Sequence, residues 1–207
     1  MIVPVTSCSH LQSHAHYKLT ITTLTSPFTL ANAPTNTTSY PMPTVALING
    51  HGFAGGLMTA MYHDYRVFNP SKGFICLNEL EFGAPLKPPM SSIFRQKVTP
   101  AVYRSLVLEA HRFPGPQARD AGLVDALGGL PEVLQLVRER HLLKKGTTGV
   151  YGQLKAEMYR ETMGYLSRAG FDADEASYER FMNEEDARKE EGSKRAEETK
   201  SAARAKL

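Results

Sequence analysis

A glycine-rich turn between two apolar segments carries the strongest chemical signal in this sequence. Residues 45–48 form a short uninterrupted apolar run, which predicts a strand covered on both faces. Residues 57–61 predict a buried helix that opens at Gly55 and Gly56. The unpaired N–H groups and the positive dipole end of such a helix stabilise negative charge that develops beside the turn. The pattern therefore predicts an oxyanion-stabilising site.

The turn alone leaves other functions open. Dinucleotide-binding and phosphate-binding loops also place a glycine-rich turn between a strand and a helix. The glycines do not open this helix in the register of a dinucleotide-binding loop, and no Gly-Lys-Ser/Thr sequence follows them. A tight turn without any ligand also fits, so the interpretation depends on the residues that follow.

Several short motifs follow one another in an order that a known family shares. They are Pro41-Met42-Pro43-Thr44, the Asn-Gly-x-x-x-x-Gly-Gly turn at 49–56, His63-Asp64-Tyr65, Leu77-Asn78-Glu79 and Gly122-Leu123-Val124-Asp125. Together they resemble the enoyl-CoA hydratase/isomerase (crotonase) superfamily, and within it the peroxisomal Δ3,Δ2-enoyl-CoA isomerases of plants and fungi. The resemblance covers about residues 41–166. It implies an α/β fold with a crotonase-like ββα spiral core, incomplete at the N-terminus and followed by C-terminal helices.

The resemblance also implies a reaction and its residues. Glu79 matches the family's retained glutamate and would remove a proton from C2 of an acyl thioester and return it to C4. The Gly55 N–H would stabilise the oxyanion formed in between. Hydratases of this family use a second glutamate, and the matching position here is Met58. The match places four residues at the substrate pocket: Phe53, Ala54, Met58 and Asn78.

Other readings remain open at this point. Another crotonase reaction, such as hydration or thioester hydrolysis, would need a second acid or base near Met58. A non-catalytic remnant of the family is a rival from a different class. Glu81 is a possible competitor of Glu79 as the base, but the family pattern assigns it no role. His51, His63 and Asp64 are interpreted as structural residues.

The amino-terminal segment departs from the family pattern. Crotonase proteins place several strands and a Phe-Ser-x-Gly-x-Asp-type loop, which gives another oxyanion donor, upstream of the Pro-Thr-Val strand. Residues 1–40 are rich in Thr, Ser and Pro and do not resemble that region, although residues 17–24 alternate as a strand would. We therefore expect a disordered non-family segment and an N-terminally truncated member. Uncovered faces at 45–48 and 74–77 and an unpaired sheet edge would then make the chain poorly soluble and inactive on its own.

Residues 41–145 are predicted to form the core, residues 146–182 a helical region, and residues 183–207 a charged tail. Thr99-Pro100 predicts a capped helix over 101–110, and Pro131 predicts the start of another. The apolar positions expected to face inward on the later helices are Val133, Leu134, Val137 and Leu142, and then Tyr151, Leu154, Met158 and Tyr165.

Composition excludes several classes of partner. The net charge of +3 comes from interleaved signs, as in the tail pairs Glu190/Lys194 and Glu191/Arg195, rather than from the basic stripe typical of nucleic-acid binding. No apolar run is long enough for a membrane span. His10, His14 and His16 lack companions at metal-ligand spacing, and Cys8 and Cys76 do not form a disulfide framework. No metal or redox cofactor is expected, since CoA is part of the substrate.

The last three residues carry a targeting signal. Ala205-Lys206-Leu207 resembles the small-basic-leucine tripeptide that the peroxisomal import receptor binds. Together with the family resemblance, it predicts a peroxisomal protein acting in fatty-acid β-oxidation. The resemblance further implies a homo-oligomer, either a trimer or a hexamer.

Overall fold

The computed structural model describes residues 8–10, 20–24, 38 and 40–204. The chain divides into two compact units, Met1–Leu166 and Ser167–Leu207. The tripeptide Ala205-Lys206-Leu207 lies outside the described residues, so its role as a targeting signal remains a prediction.

The first unit is built on a largely parallel β-sheet. Its strands are β1 (Cys8–His10), β2 (Thr20–Leu24), β3 (Thr44–Ile48), β4 (Gly52–Phe53), β5 (Tyr65–Phe68), β6 (Ile75–Cys76) and β7 (Ala126–Leu127). Five of them form a sheet in the order β1-β2-β3-β5-β7, in which only the β1–β2 pair is antiparallel. The strands β4 and β6 form a separate parallel pair.

Short helices connect and cover these strands. They are α1 (Gly55–Met61), α2 (Glu79–Phe82), α3 (Pro88–Arg95), α4 (Pro100–Leu108), α5 (Gly115–Asp120), α6 (Leu130–Glu139), α7 (Leu142–Gly146), α8 (Tyr151–Met158) and α9 (Arg160–Leu166). The predicted cap of α4 is confirmed, because the Thr99 hydroxyl accepts a hydrogen bond from the Val102 N–H.

Strand β3 lies at the centre of the core. Every residue of β3 is buried, and alternate residues belong to two different apolar clusters because side chains of a strand alternate between its faces. Val45 and Leu47 pack with residues of α6, whereas Ala46 and Ile48 pack with α1 and the rest of the main core. The prediction of a strand covered on both faces is confirmed.

The expected unpaired edge beside β3 was wrong. The strand predicted within residues 17–24 is present as Thr20–Leu24, and it pairs with β3 along its whole length, from Thr20 opposite Thr44 to Leu24 opposite Ile48. Ile75 to Leu77 are also buried, and of that stretch only Phe74 is substantially exposed. The expectation of uncovered faces fails because β2 takes one edge of β3 and helices cover both of its faces.

Two helix predictions also need correction. Helix α6 ends at Glu139, and Leu142 belongs to the separate helix α7, since His141 adopts a left-handed conformation with φ of 50° between them. The predicted helix through 151–165 is divided at Tyr159.

The buried face of α8 and α9 is not the predicted apolar one. Leu154 and Met158 are exposed, whereas Lys155, Tyr159 and Thr162 are buried at helical spacing. The reason is a polar contact, because Lys155 reaches the buried carboxylate of Asp64. The periodicity of apolar residues along the helix does not predict that contact.

The second unit contains one long helix, α10 (Arg168–Arg204), which passes through the segment of interleaved charges. Two predicted i,i+4 ion pairs form, Glu190–Lys194 and Glu191–Arg195. Upstream of them, the pairs are instead i,i+3: Glu185–Arg188 and Asp186–Lys189. Among the described residues, no helix combines the length and apolarity needed to cross a membrane.

Candidate active site

The short β4–β6 ladder brings the glycine-rich turn to the segment that carries Glu79. Phe53 lies opposite Cys76 in this pair. The Gly52 N–H donates to the Phe74 carbonyl at 2.9 Å, and the Ala54 N–H donates to the Cys76 carbonyl at 3.1 Å. In the second of these bonds the donor, Ala54, comes directly before Gly55, and the acceptor, Cys76, comes three residues before Glu79.

The glycine-rich turn leads directly into the start of helix α1, where backbone N–H groups are free. Ala54 has φ of 47° and ψ of −123°, a conformation that residues other than glycine rarely adopt. Helix α1 begins at the next residue, and the first N–H that finds an intrahelical acceptor is that of Met58, bonded to the Ala54 carbonyl at 3.0 Å. Within the described residues the N–H groups of Gly55, Gly56 and Leu57 have no acceptor. N–H groups left free at a helix start can stabilise an anion beside the turn.

Glu79 is a buried carboxylate without an ion-pair partner among the residues that the structure describes. It begins the single-turn helix α2, its residue is only 8% exposed, and its Oε2 has no hydrogen-bond partner among the described residues. Desolvation by burial raises the pKa of Glu79, while a backbone hydrogen bond opposes part of the rise. A carboxyl group with a raised pKa exchanges a proton near neutral pH more readily than an ordinary one.

Asn78 adds a second orphan oxygen next to Glu79. Its Oδ1 is buried and, within the described part of the chain, makes no hydrogen bond, even though Asn78 stands at the N-cap position of α2. Buried polar atoms in native proteins nearly always have a partner, and exceptions concentrate where a ligand binds. Two adjacent orphan oxygens therefore make this place a candidate ligand site.

The remaining predicted pocket residues belong to the same turn. Phe53 and Ala54 are half-buried, and Met58, in the first turn of α1, is fully buried in the main core. A thioether at this position has no proton to give or take at physiological pH. The ladder pairs the two chain segments that carry the predicted residues of the core site, which are Phe53, Ala54, Gly55 and Met58 on one segment and Asn78 and Glu79 on the other.

Neighbouring ionisable residues have other partners. Glu81 is exposed and pairs with Arg112 at 3.4 Å. His63 is buried, with its Nδ1 3.0 Å from the Thr59 carbonyl, and burial lowers the pKa of His63 to about 3. His51 is exposed beside the rings of Phe53 and Phe74. These contacts agree with structural roles for both histidines.

The structure also contains a buried polar cluster around Asp64 that was not predicted from the sequence. Asp64 Oδ2 accepts hydrogen bonds from the Thr44 N–H at 2.9 Å, the Thr44 hydroxyl at 3.0 Å and the Lys155 ammonium at 2.8 Å. Lys97 lies nearby and donates to the carbonyls of Met61 and His63. The contacts of Lys97 are with backbone atoms, so the sequence carries no pairing signal for them.

No group of three His, Cys, Asp or Glu side chains that could hold a metal ion occurs among the residues that the structure describes. Cys76 is buried, and desolvation raises the pKa of its thiol to about 11, so the thiolate is disfavoured. The chemistry available at the site is proton transfer by Glu79 beside the free N–H groups of α1.

Comparison with known proteins identifies curated relatives in Arabidopsis thaliana. The peroxisomal enoyl-CoA delta isomerase 2 of this plant is 33% identical over 132 residues, which is 61% of this chain and 55% of the relative. Enoyl-CoA delta isomerase 3 is 32% identical over 127 residues, 58% of this chain and 53% of the relative. The chain therefore spans about half the length of these curated relatives.

Solved structures confirm the predicted fold class, a crotonase-like α/β fold with C-terminal helices. An enoyl-CoA hydratase from Mycobacterium ulcerans Agy99 has a TM-score of 0.59 at 26% identity, over 70% of this chain and 64% of that protein. An Mtb enoyl-CoA isomerase has a TM-score of 0.58 at 26% identity, over 69% of this chain and 63% of that protein. Because these two structures are described as a hydratase and an isomerase, similarity of fold does not choose between the reactions.

A family profile extends the match along the chain. The enoyl-CoA hydratase/isomerase profile matches residues 11–203, a span that starts inside the segment that the sequence analysis assigned to non-family sequence. The buried Glu79, the helix start at Gly55 and strands β2 to β7 thus occur within a match that covers most of the chain. The chain belongs to the enoyl-CoA hydratase/isomerase family.

Proposed function

We propose that this chain carries the site of a Δ3,Δ2-enoyl-CoA isomerase. The observation that carries the proposal is a buried carboxylate, Glu79, whose Oε2 has no hydrogen-bond partner among the described residues, together with an apolar residue, Met58, where a hydratase would need its second carboxylate. The curated relatives are named as enoyl-CoA delta isomerases, which agrees with this choice.

The reaction needs one base and one anion site. The Glu79 carboxylate removes a proton from C2 of the 3-enoyl thioester, and the electrons delocalise through C3 and C4 and onto the thioester oxygen. The Gly55 N–H donates to that oxygen while it is negatively charged. Glu79, now protonated, returns the proton to C4, so the double bond moves from C3–C4 to C2–C3 and the carboxylate is restored.

The environment of Glu79 suits both halves of this cycle. A carboxylate with an ordinary pKa is a weak base for removing the proton from C2. Desolvation raises the pKa of Glu79, which makes the carboxylate a stronger base and makes the protonated form that delivers the proton to C4 easier to populate. Hydration of a 2-enoyl thioester would require a second group to hold and deprotonate water, and the Met58 side chain offers none.

The other parts of the proposal follow from the substrate. The thioester and acyl chain beside C2 contact Phe53, Ala54, Met58 and Asn78, with CoA as part of the substrate and no separate metal or redox cofactor. We assign the reaction to fatty-acid β-oxidation in the peroxisome, with import through Ala205-Lys206-Leu207 and assembly as a homotrimer or hexamer. Support for the compartment comes from that tripeptide and from the peroxisomal relative.

The test uses the 207-residue chain with 3-hexenoyl-CoA, followed by the absorbance of the conjugated product and by mass analysis. The structural reason for expecting an insoluble chain no longer holds, since the faces of β3 are covered. We expect a folded protein with slow turnover, because one assigned donor instead of two lowers the rate by about a hundred- to a thousandfold.

Two glutamate variants separate catalysis from surface charge. Glu79→Gln should reduce formation of 2-hexenoyl-CoA to the uncatalysed rate, whereas Glu81→Gln, at an exposed ion pair, should retain the wild-type rate. Turnover that survives in Glu79→Gln, or release of free CoA as the main product, would overturn the proposal.

A further inference from the structure

Helix α1 is short, so its two ends are mechanically coupled. It has seven residues, about 10 Å in length, with the free donors at Gly55 at one end and Met61 at the other. The Thr59 hydroxyl donates to the Gly55 carbonyl at 2.8 Å, which joins the first turn to the last. A displacement of the C-terminal end therefore moves the donors at the N-terminal end by a similar amount.

The C-terminal end of α1 requires partners from elsewhere in the chain. The last carbonyl groups of a helix lack intrahelical donors, and a cation beside them is favourable. Helix α1 has no basic residue in its own last turn. Lys97, which follows α3, supplies donors: its Nζ donates to the carbonyl of Met61 and to that of His63 just beyond.

The surroundings of Lys97 indicate that the hydrogen bonds to the end of α1 determine the position of its side chain. Its Nζ lies 4.7 Å from the centre of the Tyr159 ring, and within the described residues no carboxylate lies at ion-pair distance from it. Burial lowers the pKa of Lys97, which disfavours a charged ammonium here, but the two hydrogen bonds to carbonyl groups need only N–H donors. Its hydrogen bonds join it to the end of α1 rather than to an acidic partner.

We propose that Lys97 is a positioning residue that fixes α1, and through it the Gly55 N–H, for the oxyanion of the acyl thioester. The inference rests on the proposed function. It assigns no contact between Lys97 and substrate. Removal of Lys97 should weaken stabilisation of the anion and leave recognition of the neutral thioester largely unchanged.

A pair of ligands distinguishes these two effects. Butanoyl-CoA reports binding of a neutral thioester, and acetoacetyl-CoA reports anion stabilisation, because its enolate has a characteristic ultraviolet absorbance. Lys97→Met should lower the bound enolate fraction and kcat for 3-hexenoyl-CoA by about tenfold or more, with less than about a twofold change in the Kd of butanoyl-CoA. Lys97→Arg, which keeps a donor cation, should recover part of the loss. Lys144→Met, at an exposed lysine, is the matched control and should behave as the wild type.

The inference is overturned if the enolate fraction of Lys97→Met equals that of the wild type, or if it falls in parallel with butanoyl-CoA binding and with the melting temperature. Should Lys97→Met fail to fold, Lys97→Gln takes its place with the same expected loss and the same overturning results.

Amide hydrogen exchange tests the anchoring without any CoA ligand. The N–H groups of residues 59–61 should exchange at least about tenfold faster in Lys97→Met than in the wild type, while those of α6 are unchanged. Equal exchange rates in α1 would overturn the inference even in an active enzyme. Failure of the wild type to bind either thioester would instead contradict the proposed function and leave the exchange result to decide the role of Lys97.

Discussion

The Ala54 N–H donates to the carbonyl oxygen of Cys76 over 3.1 Å, and this bond joins the two halves of the candidate site. One residue after its donor, helix α1 begins with free N–H groups, and three residues after its acceptor stands the buried carboxylate of Glu79. Within the described residues, no hydrogen-bond partner is found for the Glu79 Oε2 or for the N–H groups of Gly55, Gly56 and Leu57. The β4–β6 ladder therefore joins the segments that carry the proposed proton carrier and the proposed anion site.

The backbone of Ala54 gives a first prediction. Its φ of 47° is unfavourable for an L-residue and worse for a β-branched one. Ala54→Val should lower the free energy of unfolding by about 1–3 kcal/mol, whereas Ala54→Gly should leave it within about 1 kcal/mol of the wild type, because relief of strain offsets the added freedom of the unfolded chain. Urea unfolding measures both, and a fully stable Ala54→Val would show that the turn carries no strain.

The raised pKa of Glu79 predicts the pH dependence of activity. The base form must be ionised to attack C2, so kcat/KM should fall as the pH drops through a pKa above 4.5, the ordinary value of a glutamate. An acid limb at or below that ordinary value would contradict the desolvated environment. Glu81→Gln is the control and should show the same profile as the wild type.

The same shift predicts a change in stability. The pKa of Glu79 is higher in the folded than in the unfolded chain, so the folded state loses stability as the pH rises through that interval. Glu79→Gln should therefore be more stable than the wild type at neutral pH, and the difference should vanish below the unfolded pKa. Melting temperatures of the two proteins between pH 4 and pH 8 measure the effect, and a constant difference across that range would count against it.

The buried Lys155–Asp64 pair predicts a large, non-additive effect on folding. Both side chains are almost inaccessible, and removal of one leaves the other charge buried without its partner. Lys155→Met should lower the free energy of unfolding by about 3–5 kcal/mol, and the double variant with Asp64→Asn should lose less than the sum of the single losses. The exposed pair Arg160–Glu157 is the control, since Arg160→Met should change stability by less than about 1 kcal/mol. Additive losses at the buried pair would mean that the two charges do not interact.

The tripeptide Ala205-Lys206-Leu207 predicts the compartment. A fluorescent protein placed ahead of the last dozen or so residues should collect in peroxisomes, and deletion of Leu207 should return it to the cytosol. A diffuse signal from the intact tail would remove the compartment from the proposal. The reaction would then be supported by the core site alone.

The sequence predicted best those parts that depend on local pattern. The apolar run at β3, the Thr99 cap and the helix start at Gly55 each follow from the residues at that point, and the structure contains all three. The short motifs placed Glu79 beside Gly55 because their order implied one family. The two residues are 24 positions apart in the sequence, and this spacing alone does not indicate that they belong to one site.

The predictions that failed depend on contacts distant in the chain. Apolar periodicity placed Leu154 and Met158 inward, but the buried Asp64 draws Lys155 to the core instead. Likewise β2 was a weak alternating segment whose pairing with β3 could not be seen without the sheet. Lys97 gave no signal at all, since its partners are two backbone carbonyls.

Transfer of deuterium from C2 to C4 tests the central claim most directly, because it asks whether one carboxyl group performs both proton transfers. The substrate is 3-hexenoyl-CoA deuterated at C2, and the product is examined by NMR and mass spectrometry at low conversion. A single shuttle at Glu79 predicts that part of the label appears at C4 of 2-hexenoyl-CoA, and that Glu79→Gln abolishes both product and transfer while Glu81→Gln retains both. Product that carries no deuterium at C4 in the wild type, or product that forms equally well in Glu79→Gln, would contradict the account.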